Sequence, residues 1–173
     1  MLQYKGTEKI WYKQIYFVLQ IKKKVVSLYM MNYLLSYFGV GLYSPRELST
    51  MTKKEIKRCV YLTVWYCRYE LGVNKRRPVP QVKLIPVQGD TYYYGQYDPS
   101  DNEIHVFTDE VRTLGQLTST IIHEYTHYLQ PIVSKYYKLL KEHGYDNHPF
   151  EIEARENERV HNRRVLHYLR ENY

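Results

Sequence analysis

The amino-acid sequence predicts an α+β domain: a helix, three strands, then three more helices in chain order. Three observations predict it. Apolar residues recur every three or four positions between Thr52 and Leu71. The pattern switches to alternation, punctuated by turns, between Val79 and Asp109. The helical period then returns from Leu114 to about Arg170. At 173 residues the chain suits one domain, with or without an appendage, and can bury a core without covalent staples.

Residues 10–21, IWYKQIYFVLQI, are apolar and β-branched enough to be strand or helix. Val25 to Tyr43 follows, 19 residues without a charge behind Lys22, Lys23 and Lys24, which approaches the length of a membrane span. Ser27, Asn32 and Ser36, with Gly39 and Gly41 breaking the end, argue instead for a packing helix or an interfacial anchor. Ser44-Pro45 marks a turn, and Met51 opens MTKKEIKR, a natural domain start. Residues 1–50 are therefore expected as an apolar, basic, helical appendage, serving as anchor or latency segment, and 51–173 as the main domain.

The first helix of that domain has Thr52 as N-cap, Glu55 completing a capping box, and Gly72 as its stop. Val82, Leu84 and Val87 then alternate; Gly89-Asp90 turns into Thr91–Asp98, and Pro99 to Asn102 turns into Glu103–Asp109. The expectation is a three-stranded antiparallel meander. The next helix spans Leu114 to Gln130, and Pro131 closes it while suiting the start of another through Lys141, ended by His143-Gly144. Pro149 opens the last, capped by Asn147 or His148.

Charge is unevenly spread. Residues 1–85 carry 16 Lys or Arg against 4 acids, so this half can touch nucleic acid or an anionic membrane surface. Residues 86–173 carry 9 against 14, which suits a site that holds a cation. The N-terminus reaches Lys5, Lys9 and Lys13 before any apolar run, which argues against a secretory signal. Cys59 and Cys67, if on one helix, are separated by a rise of about 12 Å, too far for a disulfide. A reduced, cytoplasmic setting is the expectation.

The stretch that carries chemistry is IIHEYTHYLQ, Ile121 to Gln130. Residues four apart share a helix face, so His123 and His127 can aim imidazole nitrogens at one point. A catalytic zinc needs a third protein ligand and one position for water, and Glu124 is placed to act on that water as general base. Downstream lies HPFEIEARENE, His148 to Glu158, where Ala154 would allow close approach to the histidine helix so that a glutamate reaches the metal.

His-Glu-x-x-His followed by a helix with Glu-x-x-Ala or Glu-x-Glu-Ala resembles the gluzincin group of zinc metallopeptidases, including the minimal archaeal forms called minigluzincins and compact domains of viruses and plasmids. The resemblance covers roughly residues 51–173. It implies a zincin-like fold, a small antiparallel sheet on the active-site helix, and one Zn2+ held by His123, His127 and a glutamate. Glu151, three residues before the alanine, is preferred as third ligand; Glu153, followed by Asn157, is the alternative. It also implies a peptide substrate lying as an added strand along His105–Thr108, hydrolysed by water that Glu124 polarises. His148 and Tyr145, with Tyr128 and His161 behind them, are candidate oxyanion donors. His105, His143 and His167 read as surface or capping residues.

Two other readings stay open. Lys53, Lys54, Lys57, Arg58 and Arg68, with Lys75-Arg76-Arg77, could bind phosphate in a nucleic-acid-associated protein whose zinc site is structural or secondary. Residues 25–43 could anchor a protease to a membrane.

Overall fold

The computed structural model describes residues 46–86, 93–131 and 133–172, with a compact unit over Pro45–Tyr173. Residues 1–45 of the expected appendage, with its candidate anchor at 25–43, and the Gly89-Asp90 turn lie outside the described residues. Residues 46–50, expected in the appendage, belong instead to the compact unit: the Leu48 amide donates to the Arg112 carbonyl and the Leu114 amide to the Arg46 carbonyl. Among the described residues, no helix is long and apolar enough to cross a membrane.

The element order is α1 (Lys53–Glu70), β1 (Gln81–Ile85), β2 (Gly95–Asp98), β3 (Glu103–Phe107), α2 (Leu114–Leu129), α3 (Val133–His143) and α4 (Pro149–Asn172), after a short 3-10 turn, Leu48–Thr50. The α+β class and the order of elements agree with the sequence. Helix α1 starts where the capping box requires: the Thr52 hydroxyl accepts from the Glu55 amide at 3.2 Å, and the Glu55 carboxylate accepts from the Thr52 amide at 2.7 Å. It stops at Gly72, whose φ of +91° is cheap only without a Cβ. Helix α2 opens on a second capping box, Thr113 with Gln116. It ends at Gln130, held extended as a residue before proline must be.

The sheet corrects one expectation. It is mixed, not an antiparallel meander, with order β1-β3-β2. β1 runs parallel to β3, pairing Val82 with Ile104 and Leu84 with Val106. β2 runs antiparallel to β3, pairing Gln96 with His105. The reason lies in burial. Ile104 and Val106 are fully buried, so β3 takes the centre, while the short, polar Gly95–Asp98 stays outside. The chain therefore leaves β1, clears one strand's width, lays down β2, and fills the gap with β3.

The core sits between this sheet and the helices. Ile121, Ile122 and Tyr125 of α2 are fully buried, with Cys59 and Cys67 of α1 and Val165 and Leu169 of α4 around them. Both cysteines are free thiols. Ala154 of α4 is also fully buried, and α2 and α4 pack extensively on each other.

Candidate metal centre

Helix α2 carries His123 and His127 one turn apart, rings 4.9 Å between centroids. Helix α4 begins below them because His148 caps it: its Nδ1 accepts from the Phe150 amide at 3.1 Å, and its Nε2 donates to the Tyr136 carbonyl at 2.9 Å. The first turn of α4 then presents Glu151. Its Oε2 lies 3.4 Å from His123 Nε2, and its Oε1 3.4 Å from His127 Nε2.

One donor atom from each of the three residues lies within 4.8 Å of the others. Donors around a tetrahedral zinc at about 2.0–2.1 Å are themselves about 3.4 Å apart, so both carboxylate-to-imidazole separations suit such an ion. The chemistry also fits: two imidazoles and a carboxylate are a catalytic-zinc donor set. Glu151 Oε2, moreover, is buried and has no hydrogen-bond partner. A buried carboxylate oxygen left so is costly unless a cation satisfies it.

Both imidazoles are held from behind. His123 Nδ1 faces Glu158 Oε2 at 3.3 Å, and Ser119 Oγ donates to the other Glu158 oxygen at 2.5 Å. His127 Nδ1 donates to Gln130 Oε1 at 2.7 Å. Two acceptors, the Phe150 carbonyl and Glu153 Oε2, receive the Gln130 amide NH2, which fixes its orientation. With Nδ1 so engaged on each ring, Nε2 is the atom presented toward Glu151.

Charge is concentrated here. Burial disfavours a proton on His123, yet Glu151 and Glu158 outweigh it and push the imidazole up to about 10. Burial depresses His127, which favours the neutral, ligating form. Burial raises Glu151, but His123, His127 and the Tyr136 hydroxyl overcome it and hold the carboxyl at about 2. Glu124 goes the other way: burial, with Glu151 nearby, pushes it up to about 7.

Glu124 faces β2. A backbone hydrogen bond from Tyr97 reaches its carboxylate. Gly95 makes that approach possible, since a Cβ there would sit 2.6 Å from both the His105 carbonyl oxygen and the Thr120 methyl. The cleft above, about 1120 Å³, is walled by β2 and Tyr93 on one side and Tyr136, Tyr137 and Tyr145 on the other.

The expected residues thus divide. His123, Glu124, His127 and Glu151 converge. Glu153, two positions on, is exposed, takes a hydrogen bond from Gln130, and is not grouped with the two imidazoles as Glu151 is. Tyr145 lines the cleft, and burial together with Glu151 pushes its hydroxyl up to about 12. His148 is fully buried with both ring nitrogens committed, so it has no N–H for an oxyanion. Tyr128 is likewise buried, its hydroxyl bonded to Asn74 and Arg77, and His161 contacts Tyr66. The strand His105–Thr108 cannot accept an added strand, because β3 is paired on both sides; among the described residues β1 and β2 are the edge strands, and β2 is the one that lines the cleft. Sequence reasoning missed Gln130, Tyr136 and Glu158. Glu158 could have been found, since seven residues after Glu151 is two turns along the same face.

Comparison with protein families, with characterised proteins and with solved structures finds no match to this chain.

Proposed function

We propose that this chain is a zinc-dependent peptidase in which His123, His127 and Glu151 hold the ion and Glu124 is the general base. The observation that carries the reading is the buried Glu151 carboxylate, which sets its unpartnered Oε2 against His123 Nε2 and its Oε1 against His127 Nε2. When bound, the ion would supply Lewis-acid chemistry, acidifying water and polarising a substrate carbonyl. Glu124, with a carboxyl near 7, is matched to taking a proton from that water and returning it to the leaving amine. Glu158 and Gln130 orient the imidazoles. Tyr145, on the cleft wall, is the remaining candidate donor to a developing oxyanion.

The substrate is an extended peptide paired with the free edge of β2, beside Glu124. A purely structural zinc would take four protein ligands in a closed site, whereas among the described residues this donor set has three and borders an open cleft.

The test is metal analysis of the purified protein together with a casein-cleavage assay of wild type and Glu124→Gln. Wild type should hold about one zinc per chain and cleave, and the variant should keep the metal and be inert. Equal cleavage by both removes Glu124 from its role.

A further inference from the structure

The outward face of α1 plays no part in the metal centre, and none of its residues borders the cleft. At 100° per residue, Lys54, Lys57, Arg58 and Arg68 fall within an arc of about 120°. Three aromatic residues share that arc: Tyr61, Trp65 and Tyr69, which are 67%, 43% and 76% exposed. The only acids of α1, Glu55 and Glu70, lie off it; Glu55 is tied into the Thr52 cap and bonds Arg46. On α4, which packs alongside, the nearby acid Glu171 is paired with His167.

The rings are ordered. Trp65 stacks on Tyr69 at 5.9 Å, planes 2° apart, and on Tyr168 of α4 at 6.0 Å, planes 7° apart. Three near-parallel rings therefore form a ladder whose outer rung is the highly exposed Tyr69. Arg58 is steadied by the Asn172 carbonyl at 2.9 Å. Lys75 and Arg76, exposed beyond the end of the helix, continue the positive path.

We infer that this face binds single-stranded nucleic acid, with bases stacking on Tyr69 and Tyr61 and the backbone following the cations. Charge complementarity and aromatic planes set among cations are what a sequence-tolerant single-strand site requires. An anionic bilayer fits worse. An interfacial helix needs an aliphatic face to bury, and here the apolar side of α1, with Cys59, Tyr66 and Cys67, is committed to the core. Duplex DNA offers phosphates but no exposed base faces.

The test is fluorescence anisotropy of labelled oligo-deoxythymidylate with the full chain, titrated between about 50 and about 200 mM salt. Wild type should bind, more weakly as salt rises, and should prefer the single strand to a duplex. Lys54→Glu with Arg68→Glu should weaken binding by roughly tenfold or more. Tyr69→Ala should weaken it roughly tenfold, and Tyr69→Phe should retain it. These side chains are exposed, and unchanged thermal melts and zinc content will verify the fold. The inference is overturned by no binding, by binding that these variants leave intact, by equal or tighter duplex binding, or by binding confined to phosphatidylserine vesicles. Glu124→Gln should bind the oligonucleotide as wild type does, so failure here is distinguishable from failure of the peptidase reading.

Discussion

Glu151 Oε2 lies 3.4 Å from His123 Nε2, buried and without a hydrogen bond, while its other oxygen takes the Tyr136 hydroxyl at 2.8 Å. One oxygen is thus satisfied by the protein, and the other is the one a cation could take. Glu151→Ala should lose stoichiometric zinc, whereas Glu153→Ala should keep it; metal analysis after gel filtration distinguishes the two. Loss of zinc in the Glu153 variant alone would reverse the assignment.

Glu158 and Gln130 touch the imidazoles from the side away from Glu151. Glu158→Gln and Gln130→Ala should each lower zinc affinity about 10–100-fold, read by competition with a chromogenic chelator. Affinities unchanged in both variants would mean that the rings need no such support.

Gly95 has no room for a methyl group between β3 and α2. Gly95→Ala should cost about 1–3 kcal/mol in urea unfolding, as overpacking does. Because β2 must move away from Glu124, peptide cleavage should fall while zinc content stays at that of wild type. A variant as stable and as active as wild type would place slack where the structure has contact.

Cys67 is fully buried, and burial pushes its thiol up to about 12 from an ordinary 9.0. The thiolate is the reactive form, so native protein at pH 8 should resist iodoacetamide and react only after unfolding. A folded pKa above the unfolded one contributes stability below the unfolded value and loses it as pH rises toward the folded value. Wild type should accordingly lose stability above pH 9, and its advantage over Cys67→Ala should narrow from pH 8 to pH 10 in denaturant melts. A constant difference would disprove the coupling.

Ile121, fully buried, and Ile152, half exposed, differ in environment and not in chemistry. Ile121→Ala should cost about 2–5 kcal/mol and Ile152→Ala about 0.5 kcal/mol or less.

Local signals were readable in the sequence where they are chemically distinctive. The Thr52 and Glu55 capping box, the Gly72 stop and the pair at His123 and His127 depend only on near neighbours along the chain. Strand order does not. The pattern in Val82 and Leu84 looks the same whether its neighbour is β2 or β3, and only the complete burial of Ile104 and Val106 decides it. Glu151 and Glu153 are likewise equivalent in composition; the cap at His148 sets the phase of α4 and turns Glu151 inward. That cap also uses both nitrogens of His148, which sequence alone leaves available for catalysis.

Gln130 ties the end of α2 to the first turn of α4 through amide hydrogen bonds to the Phe150 carbonyl and the Glu153 carboxylate, neither of which needs a metal ion. If the centre takes zinc, these bonds should hold the scaffold together without it. Chelation should strip the centre and lower the melting temperature while leaving the far-ultraviolet spectrum folded, and cobalt should then enter the emptied protein without any refolding step.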